Sequence, residues 1–258
     1  MANWSDPHPA RQGQSQEPGP DLAASRPVSG NPPPLTNQRL TTPRAAAVAG
    51  IVFAVLLGTA YVLIRISIPA DPADSGIWLA ERETAVSLAL SLVPFAGIAF
   101  LWFIGVVRDR IGQLEDRFFS SVFFGSGLLY LAMTFVSAAL AGGLLASYAL
   151  QPDVLIASGL YTFSRAVMWR ISNIFAIRMA GVFMISLGTI WIRTRSMPRW
   201  LVFLTYALAL VLLVSIGLNL WVALIFPAWV LVISVYILAL NLRMQGAGAQ
   251  DGLSIMSE

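Results

Sequence analysis

The chain has 258 residues, of which 57% are hydrophobic and only 11% charged. A soluble domain carries about 25% charged residues, so this charge is too sparse to cover a soluble surface, and the reading is an all-α, polytopic transmembrane helical bundle. The net charge of +3 comes from 16 arginines and no lysine; they are scattered along the chain rather than gathered in a patch, which argues against nucleic acid. Cysteine is absent, so disulfides, thiolate metal sites and cysteine nucleophiles are excluded.

Residues 1–44 read as a disordered, Pro-rich cytoplasmic tail. Nine of the 15 prolines fall there, among Gln, Ser, Gly and Asn. Such a segment buries too little apolar area to offset its ordering entropy. No basic start leads into an apolar core within the first 30 residues, so the segment is not a signal peptide. Pro32-Pro33-Pro34 could dock on an aromatic groove, but a solvated tail is the plainer reading.

A six-helix transmembrane domain follows over 45–243, with approximate spans 45–66, 84–107, 118–141, 171–192, 200–217 and 221–242. In the first span Ala46, Gly50, Ala54 and Gly58 recur every four residues. That spacing predicts a face where a neighbouring helix approaches closely. Acidic residues and prolines then mark residues 67–83 as an external loop, with Trp78 at the interface. In the second span Pro94, three residues before Gly97, predicts a kink.

Arg108 to Arg117 holds six of the 29 charged residues in ten positions. Lying between two membrane-length segments, it must sit in water, and its three arginines favour the cytoplasm. The next apolar run, Phe118 to Leu150, has 33 residues. It exceeds what the bilayer needs, which requires either a tilted helix or a break at Gly142-Gly143. The Arg108-Asp109-Arg110 turn, Glu115-Asp116-Arg117-Phe118-Phe119 and Gly125-Ser126-Gly127 together resemble uncharacterised multi-pass integral membrane proteins of high-GC bacteria. The resemblance covers the middle third of the chain and implies no activity.

Residues 151–170 fit either an interfacial helix or an outward extension of the fourth span. Arg178 lies seven residues inside that span, about 10 Å deep at helical rise. Arg193, Arg195 and Arg199 form a second basic, cytoplasmic loop. The 43 uncharged residues from Trp200 to Leu242 must form a hairpin, with its turn near Gly217-Leu218-Asn219. Residues 244–258 make a short cytoplasmic tail.

The charge rule fits both termini in the cytoplasm of the cell inner (plasma) membrane. Arg39, Arg44, Arg108, Arg110, Arg117, Arg193, Arg195, Arg199 and Arg243 then fall inside, against Arg65, Arg82, Arg165 and Arg170 outside. The expected surroundings are the lipid bilayer and, beyond it, a membrane-protein partner or a second copy.

The only histidine is His8, in the tail. Haem ligation by imidazole, a zinc HExxH site and a Ser–His dyad therefore have nothing to build on within the spans, and no metal, cofactor or catalytic residue is assigned. The candidate binding cluster at the outer leaflet is Arg178, Arg170, Arg165, Arg65, Glu81 and Glu83. An unpaired arginine in hydrocarbon costs at least about 2.5–3.5 kcal/mol, so Arg178 needs a partner. Guanidinium forks gripping phosphate or carboxylate are one reading of the cluster. A structural ion pair from Arg178 to Glu81 or Glu83 is the other, and the plainer.

Three functional classes follow from these residues. The first is a non-catalytic structural, sensory or assembly protein. The second is a facilitator or transporter of an anionic or amphipathic substrate, with Arg178 lining the route. The third, ranked last, is a lipid-modifying enzyme using Glu81 and Glu83.

Overall fold

A computed structural model describes residues 42–69, 76, 78–111, 117–215 and 220–255. The expected tail over 1–41, the centre of the charged loop (112–116) and the hairpin turn (216–219) lie outside the described residues. Among the described residues every regular element is helical. The first helix, α1 (Thr42–Ser67), is followed by a four-residue turn of helix, α2 (Trp78–Glu81), and by α3 (Glu83–Ile111). Next come α4 (Arg117–Leu150), the short α5 (Pro152–Ala157) and α6 (Leu160–Arg170). A π-helical turn, Ile171–Ala176, joins α6 to α7 (Ile177–Thr194). The chain then forms α8 (Arg199–Val214), a 3₁₀ turn (Leu220–Leu224) and α9 (Ile225–Ile255).

Among the described residues five helical segments are long and apolar enough to cross a membrane: Arg44–Ser67, Glu83–Asp109, Phe118–Leu150, Leu160–Thr194 and Trp221–Arg243. The sixth apolar helix, α8, has 16 residues and so reaches about 24 Å at helical rise. Large apolar side chains point outward all round the bundle, with Phe95 63%, Trp102 68% and Phe203 70% exposed. Only a lipid environment makes such a surface inexpensive.

Several boundaries differ from the sequence reading, each for a local reason. Helix α4 runs unbroken through Gly142-Gly143 to Leu150, because glycine in a lipid-embedded helix gives up little when the alternative is an unpaired backbone. Pro94 lies inside α3, which continues on both sides of it. Within the segment 151–170, α6 extends the fourth apolar segment, passing through the π-turn straight into α7, while α5 is a separate short helix. The start of α6 is set by Gly159, whose positive φ of 73° turns the chain out of α5, a conformation glycine adopts without strain. Helix α9 continues past Arg243 to Ile255.

The helices pack as a ring in the order α9, α1, α3, α4, α7, α8, with α8 packed chiefly on α7. Between helices in lipid the association comes from close packing and hydrogen bonds, since lipid tails are as apolar as leucine. Aromatic rings supply much of that packing. Phe53 of α1 stacks on Phe100 of α3 at 4.5 Å, Phe123 of α4 meets Phe183 of α7 at 4.4 Å, and Tyr130 meets Phe226 of α9 at 4.6 Å. Trp229 Nε1 donates to Thr205 Oγ1 at 2.9 Å, which ties α9 to α8.

The small-residue face of α1 is only partly a contact face. At Gly50 an added Cβ would lie 2.1 Å from Ser234 Oγ and 2.9 Å from the Phe103 ring, so α3 and α9 both press on this position. At Gly58 nothing lies within 4 Å. The expectation of close approach therefore holds at Gly50 and is corrected at Gly58, whose own face meets no neighbour.

Candidate binding cavity

The end of the bundle formed by the C-terminus of α1, the N-terminal half of α3 and the C-terminal half of α4 encloses a cavity of about 440 Å³. Its walls come from α1, α3, α4, α6, the π-turn and the 3₁₀ turn. Arg65 from α1 and Arg165 and Arg170 from α6 all line it, and no Asp or Glu stands among the described wall residues. Three of the six residues singled out from sequence are thus brought together.

Arg165 is the most firmly positioned of the three. It is 8% exposed, and an ionised group so buried needs acceptors around it. Its Nη1 donates to Tyr161 Oη at 3.0 Å, and its Nη2 donates to the Pro69 carbonyl just beyond α1. Tyr161 Oη also accepts from Trp78 Nε1 at 2.9 Å. Helical spacing places Tyr161 one turn before Arg165, and the guanidinium lies 5.9 Å from that ring. Trp78, Leu79, Val86, Leu144, Leu155 and Tyr161 form a satellite apolar cluster around this network. Acceptors and donors from separate parts of the chain thereby fix one cation, and Arg165 ties the end of α1 to α6.

Arg65 is half-buried, and its Nε is a buried donor without a hydrogen-bond partner among the described residues. Arg170 is exposed at the edge of the cavity. Deeper in, the polar groups are hydroxyls already engaged within the bundle. Tyr61 Oη lies 3.3 Å from Tyr130 Oη, Ser137 Oγ lies 2.6 Å from Ser172 Oγ, and Thr134 Oγ1 donates to the Tyr130 carbonyl at 2.9 Å. The remaining wall is apolar, including Ile64, Leu90, Val93, Ala138 and Ala141. Convergent cations over an apolar floor make a place for an anion with an apolar body.

The other three sequence candidates lie elsewhere. Arg178 is half-buried but does not line the cavity. Its Nη1 donates to the Ile174 carbonyl at 3.0 Å, four residues back in the π-turn. The expected ion pair with Glu81 or Glu83 does not form among the described residues; the π-turn offers a carbonyl in reach, and both carboxylates are exposed to solvent. Neither glutamate lines the cavity.

Sequence reasoning missed Tyr161 and Trp78 as positioning residues, although the Tyr161–Arg165 spacing of four was available as a signal. It also missed Ser137 and Ser172, which meet across 35 residues and carry no sequence signature. At the opposite end of the bundle two cation–π contacts form, Arg108 over Phe124 at 4.3 Å and Arg193 over Phe119 at 4.7 Å. Compared with protein-family models, with curated proteins and with solved structures, the chain matches none.

Proposed function

We propose that this membrane protein binds an amphipathic anion in the arginine-lined cavity and holds or passes it without chemical conversion. The observation that carries the reading is the convergence of Arg65, Arg165 and Arg170 on one cavity whose described wall has no carboxylate. Of the three, Arg65 presents a buried Nε without a hydrogen-bond partner among the described residues, and Arg170 stands exposed at the cavity edge. In this reading six helices cross the plasma membrane with both termini in the cytoplasm, and the cavity opens at the outer leaflet. A facilitator route runs past Arg165 rather than Arg178. The lipid-modifying alternative, which used Glu81 and Glu83, draws no support from this cavity.

Binding of dodecyl phosphate to the full-length protein in a neutral detergent tests this reading, with an uncharged dodecyl glycoside as the comparison. Saturable one-site binding of the phosphate, weakened in Arg170→Gln, is the expected result. Equal, non-saturable uptake of both amphiphiles contradicts it.

A further inference from the structure

Resting on that reading, we infer that the occupant is an anionic phospholipid of the surrounding bilayer, entering sideways between α6 and the 3₁₀ turn. The wall residues show where the cavity opens. Thr162, Ala166, Trp169 and Arg170 of α6 and Trp221 of the 3₁₀ turn are themselves exposed, whereas Val93, Ser137 and Ala141 on the far side are buried. Thr162, Ala166 and Trp169 are spaced by four and three, so they share one face of α6. Over the top, the bond from Arg165 to the Pro69 carbonyl ties α6 to the end of α1. Entry is therefore through the side of the ring, the direction from which lipid arrives.

The chemistry of the opening fits a headgroup. Tryptophan favours the headgroup level of a bilayer, and Trp169 and Trp221 both stand at the mouth. Just inside, Arg65 presents a buried Nε without a hydrogen-bond partner among the described residues, and Arg170 waits at the edge. Guanidinium groups grip phosphate oxygens through paired N–H donors. The floor beyond them is apolar, which a lipid glycerol and the first methylenes of its chains can use and a free inorganic ion cannot. A volume of about 440 Å³ is that of a drug-sized ligand, so a two-chain lipid leaves most of its chains outside, in the bilayer.

The test uses the full-length protein in phosphatidylcholine nanodiscs carrying increasing fractions of phosphatidylglycerol, with retained lipid counted by native mass spectrometry. Inorganic phosphate and dodecyl phosphate are added to lipid-neutral discs as separate arms. One phosphatidylglycerol retained per protein in preference to phosphatidylcholine is expected. Retention should be about tenfold weaker in Arg170→Gln, an exposed position where folding survives, as befits one charge-assisted contact. It should be lost in Ala166→Trp, which narrows the mouth. Should dodecyl phosphate or inorganic phosphate occupy the site while phosphatidylglycerol does not, the lipid source is overturned and the anion reading stands. Should none of the three bind, or phosphatidylcholine bind equally, both are overturned.

Discussion

A guanidinium held at 8% exposure within an apolar bundle owes its place to the acceptors that surround it. For Arg165 the critical one is Tyr161 Oη, which accepts from Arg165 and from Trp78 at once. Tyr161→Phe keeps the ring and removes that acceptor, leaving two donors without it. A lost partner of this kind costs about 1–3 kcal/mol, and the thermal midpoint in detergent should fall accordingly. A variant as stable as the parent would show that water replaces the hydroxyl. Arg178 differs, since its hydrogen bond runs back one turn to Ile174. Arg178→Ala should cost about 1 kcal/mol, and its effect should add to that of Glu81→Ala or Glu83→Ala in a double-mutant cycle. A coupling energy well above the error of the cycle would restore the ion pair. At Gly50, where Ser234 and Phe103 leave no room for a Cβ, substitution by leucine overpacks the contact and should lower the yield of folded protein. Gly58→Leu should accumulate like the parent, because its surroundings are open. If both variants behave alike in detergent, the distinction between the two positions fails.

Among the elements, α6 with its π-turn does most to shape the cavity. Single π-turns inside α-helices are frequent at functional sites, and here Ser172 and Asn173 of the turn line the cavity wall. The turn is anchored at three points: Ser137 to Ser172, Asn173 Nδ2 to the Trp169 carbonyl, and Arg178 to Ile174. Removing the first anchor with Ser137→Ala should speed backbone hydrogen exchange in 171–176 while leaving α8 unchanged. Uniform exchange across both segments would mean that the turn is no weaker than its neighbours. Much of this element is legible in the residues themselves. Its polar character and its Arg165 and Arg170 set it apart from an ordinary span, and an outward extension is one of the two readings they allow. The π-turn is not legible, because Ile171 to Ala176 has no residue type that demands it. The partners of Arg178 and Ser137 are hidden for a related reason: both depend on how helices rotate about their axes, which apolar periodicity does not fix when every face is apolar.

For the whole molecule, hydropathy and the arginine count carry most of the information. Five apolar runs bounded by charge are visible, the last long enough for a hairpin, and the six segments they imply each correspond to a helix, although α8 is shorter than its partners. The ring order is invisible in the sequence, since it is set by which aromatics meet, such as Phe100 with Phe53 and Phe226. A reporter fused after Arg243 and another inserted near Gly76 should read opposite sides of the membrane, with the C-terminal one cytoplasmic. An external C-terminus would turn the whole molecule over and place the cavity at the inner leaflet.

The cavity can also be viewed directly, by an experimental structure of the full-length protein in nanodiscs of mixed phosphatidylcholine and phosphatidylglycerol. Density for a phosphate within hydrogen-bonding distance of Arg65 and Arg170, with chains leaving between Trp169 and Trp221, is the predicted result. A cavity holding only water, or one closed by a protein carboxylate drawn in to pair with these arginines, would contradict it.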